Sequence, residues 1–202
     1  CDVEAMGVDL LTISAHKIYG PKGIGCLYAR SSGSSLKPKT YNLQPILTGG
    51  GQEFGVRSGT ENVPAIVGFA KAISLVAMDR EDEAVRVAKL RDQVWVGIKK
   101  IFPKATMNGS YKNRLPNNLN VYIPGVSGEQ LLVALDLEGI AASSGSACTA
   151  RSTNPSHVLL ALGCDVYRAK NSLRFTLGRM TTPGEIKRFL TVLKKVKENL
   201  DR

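Results

Sequence analysis

The sequence predicts an α/β fold, and three observations carry that prediction. Short apolar runs punctuated by glycine read as strands, and longer stretches with apolar residues at helical spacing read as amphipathic helices. The composition agrees, since 43% hydrophobic and 22% charged residues is the balance of an ordinary globular protein. At 202 residues the chain is long enough to bury a core and suits one domain or two. It carries no apolar run of membrane-spanning length and no signal-peptide pattern. Its first residue is Cys1, at the lead-in to a strand, which leads us to expect part of a longer sequence.

The elements follow in order. Leu10 to Ser14 and Ile24 to Ala29 are apolar runs suited to the inside of a sheet, joined by the turn Ser14-Ala15-His16-Lys17-Ile18-Tyr19-Gly20-Pro21-Lys22-Gly23. Ser31 to Ser35 with Pro38 reads as a loop, as does the glycine-rich stretch Thr48 to Thr60. That stretch has neither the P-loop spacing nor the dinucleotide-binding glycine fingerprint. Two helices are expected next. The first carries Val63, Ile66, Val67, Ala70, Ile73 and Ala77 on one stripe, and the second Ala84, Val87, Ala88, Val94, Trp95, Ile98, Ile101 and Phe102. Both stripes read as core.

Farther on, Asn118 to Ile123 alternates as a strand, with Leu119, Val121 and Ile123 on one face. Ser127 and Gln130 have capping-box spacing and open a helix through Leu137 that stops at Gly139. Ile140 to Ser144 leads into a loop of small residues, after which Asn154-Pro155 caps a helix through Leu162, ended by Gly163. Leu173, Phe175 and Leu177 turn inward from a strand, which aims Arg174 and Thr176 at the opposite face. Thr182-Pro183-Gly184-Glu185 opens a last helix with Ile186, Phe189, Leu190, Leu193, Val196 and Leu200 on its apolar side. A soft domain boundary falls near residues 60 to 80, drawn as 1–70 and 71–202.

A formal charge of +10 and a pI near 9.6 admit a nucleic-acid partner. The lysines and arginines are dispersed, however, and the densest group, Lys194, Lys195 and Lys197, lies near the end of a helix, where cations complement the dipole. An acidic partner protein, or an acidic companion segment, accounts for the excess equally well, so nucleic acid is not the expected partner. Four cysteines with no CxxC pair and only two histidines argue against a zinc site. Without a secretion signal the thiols read as reduced and the compartment as cytoplasmic. Cys26 reads as a buried strand residue and Cys164 as structural.

Three segments carry chemistry. Lys17 stands where a strand gives way to a Gly/Pro turn, a place that can desolvate an amine and favour the neutral form needed for Schiff-base formation. Ser14 and His16 flank it as phosphate donors. On residue type alone, Lys17 and Lys22 would be surface charges on a turn. Cys148 lies in Ser143-Ser144-Gly145-Ser146-Ala147-Cys148-Thr149-Ala150-Arg151, among side chains too small to anchor a loop by burial, with Arg151 near enough to favour the thiolate. Alone it would be a free surface thiol. Arg174 can grip a carboxylate through its planar fork, or form an ordinary salt bridge. Thr60 precedes a helix start, where free backbone N–H groups suit a phosphate. Arg57 is a weaker candidate, and His157 reads as a helix-surface residue without a catalytic part.

Taken together, the Lys17 segment, the Ser143 to Arg151 loop and Leu173-Arg174-Phe175-Thr176-Leu177-Gly178-Arg179 resemble the NifS-like cysteine desulfurases. These are pyridoxal-phosphate (PLP) enzymes within the class V aminotransferase family. The resemblance runs in family order over essentially the whole chain, and the long cysteine loop resembles the group I, iron-sulfur-assembly type. It implies the C-terminal part of a fold type I PLP-dependent transferase. Residues 1–70 would end the large PLP-binding domain, and 71–202 would form connecting helices and a small α/β domain carrying the cysteine loop.

The resemblance further implies Lys17 and Cys148 as catalytic residues and Lys17, Ser14 and His16 as PLP contacts. Thr60 would reach the PLP phosphate of the neighbouring subunit in a homodimer, and Arg174 would bind the α-carboxylate of L-cysteine. The products would be L-alanine and a persulfide on Cys148, handed to a sulfur-acceptor or iron-sulfur scaffold protein. No resident metal is implied, Cys148 being at most a transient iron-sulfur ligand. The family's aspartate for the pyridine nitrogen, its ring-stacking histidine and its further asparagine and glutamine contacts lie upstream of the lysine, and neither Asp2 nor Asp9 matches them. The chain therefore reads as a C-terminal half, whose activity without the upstream half is in doubt. Two other readings stay open: another fold type I enzyme such as a selenocysteine lyase or class V aminotransferase, and a non-catalytic basic interaction module.

Overall fold

The computed structural model describes residues 2–30, 43–144 and 154–200. They divide into two compact units, Cys1–Arg80 and Glu81–Arg202. In the first unit, α1 (Val3–Met6) precedes an antiparallel pair, β1 (Leu10–Ser14) and β2 (Gly25–Ala29), in the register Leu10↔Ala29 to Ser14↔Gly25. Arg30 fastens α1 to the end of β2, donating from Nη1 to Glu4 Oε2 at 3.1 Å and from Nε and Nη2 to the Val8 carbonyl at 3.2 and 3.1 Å. A second helix, α2 (Val63–Ile101), begins in this unit.

Several expectations are corrected here. β1 and β2 do not lie inside a sheet: Leu10 and Leu27 are about half exposed, and Cys26 is exposed rather than buried. Among the described residues their sheet has two strands only, and a two-stranded ribbon cannot cover both of its faces. The two expected helices are one. Met78-Asp79-Arg80-Glu81-Asp82-Glu83 holds neither glycine nor proline and is rich in residues that tolerate a helix, so nothing breaks α2 there. Its first apolar stripe is not core, since Val63, Ile66, Val67 and Ile73 are exposed, Val67 at 62%. The buried positions lie to the side of it, at Phe69 and Ala72, and the turn that follows β1 approaches α2 closely at Gly68 and Ala72.

The second unit has the better-filled core. Its sheet has the order β3-β4-β5, with β3 (Thr106–Met107), β4 (Asn118–Tyr122) and β5 (Ser172–Thr176) antiparallel. Leu119, Val121, Leu173 and Phe175 point inward, as their alternation requires, and meet Val87, Leu90, Val94 and Ile98 of α2. Helices α3 (Gly128–Leu137) and α6 (Pro183–Leu200) add Leu131, Leu135, Ile186, Phe189, Leu193 and Val196 to this cluster. α2 and α6 approach closely at Gly97, where a Cβ would overlap Leu190. The capping signals hold: Ser127 Oγ accepts from Gln130 N at 3.3 Å, while Thr182 and Glu185 bond reciprocally, Glu185 N to Thr182 Oγ1 at 3.2 Å and Thr182 N to Glu185 Oε2 at 2.8 Å.

Two short helices, α4 (His157–Ala161) and α5 (Val166–Lys170), complete the unit. α4 is shorter than expected, with Ser156 rather than Asn154 at its N-cap, because the residues around Pro155 remain outside helical geometry. Gly163, at φ 83°, closes it as expected. The loop expected over Ser31 to Ser35 lies outside the described residues.

Arg86 of α2 closes the turn after β5. It donates from Nη1 to the Thr181 carbonyl at 2.8 Å and from Nη2 to those of Gly178 and Arg179 at 3.2 and 3.0 Å, while pairing with Glu83 at 2.8 Å. The Arg86 hydrogen bond holds the Glu83 carboxyl below its ordinary pKa. Replacing Arg86 by alanine should cost about 1–2 kcal/mol in urea denaturation, through the carbonyls it leaves without a donor. A lowered folded pKa contributes stability above the unfolded carboxylate value and loses it as pH falls through the folded one. The gap between wild type and Arg86→Ala should therefore narrow below about pH 4.

Candidate functional site

The lysine turn is built by close packing. A 3-10 turn, Ala15–Ile18, follows β1 and ends at Tyr19 in the left-handed region at φ 64°. Ala15 is fully buried; its N–H donates to the Ile24 carbonyl at 3.1 Å and its carbonyl accepts from Gly20 N at 2.9 Å. A Cβ on Gly20 would lie 3.0 Å from the Ala15 oxygen and 3.2 Å from Ala72 Cβ, and one on Gly68 would lie 2.7 Å from Pro21 Cγ. Glycine at both places therefore lets the turn seat directly on α2.

The turn groups Ser14, His16 and Lys17. Lys17 and His16 are exposed and Ser14 is half-buried, so the described residues do not themselves desolvate Lys17. Among the described residues no side-chain hydrogen bond engages any of the three. A primary amine with a hydroxyl and an imidazole uncommitted in the same turn is a donor set that fits a cofactor bearing an aldehyde and a phosphate. Asp2 and Asp9 are already committed, Asp2 as the N-cap of α1 and Asp9 to Arg30 at 3.5 Å.

Thr60 is exposed in the loop before α2. The loop is shaped by its own polar groups, with Gly59 N donating to Gln52 Oε1 at 3.0 Å and Ser58 N to the Leu47 carbonyl at 3.2 Å. Its glycines at positive φ, Gly51 at 79° and Gly55 at 79°, turn the chain where other residues would be strained. The expected free N–H groups at the start of α2 are absent. Val63 N donates to Glu61 O, Ile66 N to Asn62 O and Ala65 N to Asn62 Oδ1, while Pro64 has none to offer. Asn62 thus caps α2 with its own groups, and Thr60 is left exposed just ahead of that cap.

Arg174 lies in the second unit on β5, half-buried, and its Nε is buried with no hydrogen-bond partner among the described residues. It lines a cavity of about 280 Å3 together with Asn108, Arg114, Asn118, Asn120 and Leu159, and no Asp or Glu is in its wall among the described residues. Arg114 donates to the carbonyls of Ser110 and Asn108, each at 2.7 Å. Burial, and behind it the charge of Arg91, pull the Arg114 pKa below its ordinary value. Two guanidinium groups, asparagine amides and an apolar wall suit a small carboxylate with a modest aliphatic part. Cys148 and Arg151 lie outside the described residues. His157 is exposed, and Cys164 Sγ contacts Asn108 Oδ1 at 3.7 Å.

The polar cluster behind the cavity was not foreseen. Asn108, 4% exposed, bonds Asn120, Ser172 and Arg168 at 2.6–2.8 Å. The alternation of Asn118 and Asn120 against Leu119 and Val121 was a signal that could have placed them on the Arg174 face; nothing in the sequence singles out Asn108.

Comparison with known proteins places this α/β architecture in a class. The aminotransferase class-V family model matches residues 1–189, and the chain belongs to that family. It is 47% identical over 199 residues to cysteine desulfurase IscS 1 of Archaeoglobus fulgidus and 44% identical to cysteine desulfurase IscS of Dictyoglomus turgidum, matches that cover 98% of this chain. Only 50% and 48% of those two proteins are matched, so the chain spans about half the length of the curated relatives. A NifS-like protein from Rickettsia africae superposes with a TM-score of 0.81 at 31% identity, over 97% of this chain and 49% of that one. A second NifS-like structure gives 0.80 at 34%, over 98% and 48%. The α/β fold expected from the sequence is the fold of these structures over the matched half.

The seating of the lysine turn can be tested. In an exposed helix, exchanging glycine for alanine ordinarily stabilises by up to about 1 kcal/mol. Gly68→Ala should instead destabilise, by about 1–3 kcal/mol in thermal or urea unfolding, because the added methyl meets Pro21.

Proposed function

We propose that this chain carries one half of a cysteine desulfurase, with residues 1–70 supplying the cofactor side and 71–202 the carboxylate and cysteine side. The observation that carries the reading is that Arg174 lines a cavity free, among the described residues, of acidic side chains, while its buried Nε has no hydrogen-bond partner there. Lys17, Ser14, His16 and Thr60 would hold pyridoxal phosphate, and the uncommitted donors of the lysine turn support this. When bound, that group supplies the electron sink that labilises bonds at the substrate's α- and β-carbons.

Each residue then has a definite task. Arg174 grips the α-carboxylate of L-cysteine and fixes the Cα hydrogen in place. The Lys17 amine moves the proton at Cα as general base and returns one as acid. The Cys148 thiolate attacks the substrate sulfur. The carbon–sulfur bond of the substrate breaks, a sulfur–sulfur bond forms on Cys148, and the carbon keeps the electron pair and gains a proton to give L-alanine. The persulfide passes to a sulfur-acceptor or iron-sulfur scaffold protein. The exposed stripe Val63, Ile66, Val67 and Ile73 supports burial against further protein, including a second copy in a homodimer to which Thr60 would contribute. A cytoplasmic location fits this chemistry of reduced thiols.

Incubation of the chain, supplied in trans with the N-terminal half of one of its IscS relatives, with PLP and L-cysteine, followed by peptide mass spectrometry, tests the assignment. The expected outcome is one additional sulfur on the peptide containing Cys148, with release of L-alanine, and loss of that persulfide in Cys148→Ala while PLP still binds. Alanine release without any persulfide, or a persulfide surviving in Cys148→Ala, would contradict it and favour another enzyme of the family.

A further inference from the structure

Asn120 faces Arg174 across the sheet. The Arg174 N–H donates to Ser143 O at 2.6 Å and its carbonyl accepts from Ser143 N at 3.1 Å, so both of its backbone groups turn away from β4. The Asn120 carbonyl likewise turns to β3, accepting from Asn108 N at 2.9 Å. The two residues therefore form a non-hydrogen-bonded pair, the kind in which facing Cα atoms come within about 4.5 Å and side chains run closest together. Both line the cavity.

The orientation of the Asn120 amide follows from donors and acceptors. Arg168 can only donate, so the Asn108 atom that its Nε meets at 2.7 Å is Oδ1. The Asn108 Nδ2 then faces Ser172 Oγ at 2.8 Å and Asn120 Oδ1 at 2.6 Å. Ser172 Oγ spends its own hydrogen on the Arg168 carbonyl at 2.7 Å, which leaves it an acceptor towards Asn108. Asn120 must accordingly turn its oxygen to Asn108 and keep its NH2 for the other side. Among the described residues neither that NH2 nor Arg174 Nε meets an acceptor.

We propose that Asn120 is a second carboxylate-binding residue of this cavity, its amide held with the NH2 towards the ligand by Asn108 and Arg168, so that a small carboxylate is bound by Arg174 and Asn120 together. The ligand class is an α-amino acid with a short side chain, and a carboxylate oxygen supplies the acceptors that both donors lack. Arg114 adds positive charge at the wall, and its desolvated guanidinium beside Arg91 is a place where a bound anion is welcome. The inference rests on the reading of Arg174 as a carboxylate ligand.

The test is a titration of the nitrogen-15-labelled chain with L-alanine, following the Arg174 Nε–H and Asn120 Nδ2–H2 signals by NMR, with ethylamine as the probe lacking the carboxylate. Both signals should shift with one Kd for L-alanine and neither for ethylamine. Asn120→Ala should raise that Kd about tenfold, the usual worth of a hydrogen bond to a charged group, while Arg174 still titrates. Asn108→Asp keeps the acceptor for Arg168 but loses both donors, so the Asn120 amide turns inward and the Kd should rise similarly. If Asn108→Asp fails to keep a dispersed spectrum, Asn120→Ala decides alone. An Arg174 signal that titrates while Asn120 stays silent and Asn120→Ala leaves the Kd unchanged would overturn the inference and leave Arg174 in its role. Silence from both residues would overturn the Arg174 reading, and this inference with it.

Discussion

The antiparallel register of β4 and β5 decides which side of each strand meets the core, and the second unit is built on that choice. Leu119 pairs with Phe175 and Val121 with Leu173, all four facing α2, α3 and α6, while Asn120 and Arg174 fall opposite one another on the other face. A slip of one residue would send the charged and amide groups into the apolar cluster and expose the leucines, so burial enforces the pairing. The position of Arg174 is thus inherited from the packing of its neighbours. The Glu83–Arg86 clamp on the carbonyls after β5 holds the strand's far end.

The lysine turn is held by a different device. Among the described residues no large core surrounds it and its ribbon is open on the outer side, yet Ala15 is fully buried and Gly20 and Gly68 permit close contact with α2. Small residues fix the backbone of the turn while leaving the side chains of Ser14, His16 and Lys17 uncommitted among the described residues. That combination, a rigid backbone with free donors, is what a covalently attached, phosphate-bearing cofactor requires. The exposed stripe of α2 beside it is a large apolar surface for a chain that covers about half of its relatives' length.

Much of this was legible from residues alone. Strand β4 and the inward set Leu173, Phe175 and Leu177 followed from alternation, and the caps at Ser127 and Thr182 followed from spacing. The failures share a cause, which is that pattern reports amphipathicity but not what covers the apolar face. Val63, Ile66, Val67 and Ile73 form a proper helical stripe, and Leu10 and Leu27 sit in proper strands, yet among the described residues they are left largely exposed. The free N–H groups expected at the start of α2 are taken because Asn62 caps the helix with its own side chain. The fusion of two expected helices into α2 came from a charged run that breaks an apolar stripe without breaking a helix. The Asn108 cluster was invisible because its members lie far apart in sequence, at 108, 120, 168 and 172, and meet only once the sheet forms.

The central claim is that Lys17 stands ready as the cofactor amine. Mixing the purified chain with pyridoxal phosphate, reducing with borohydride and mapping the modified lysines by peptide mass spectrometry measures it directly. Selective modification of Lys17 over Lys22, Lys71 and the lysines of α6 is the predicted result. Modification spread over the exposed lysines in proportion to their accessibility, with no preference for Lys17, would contradict it.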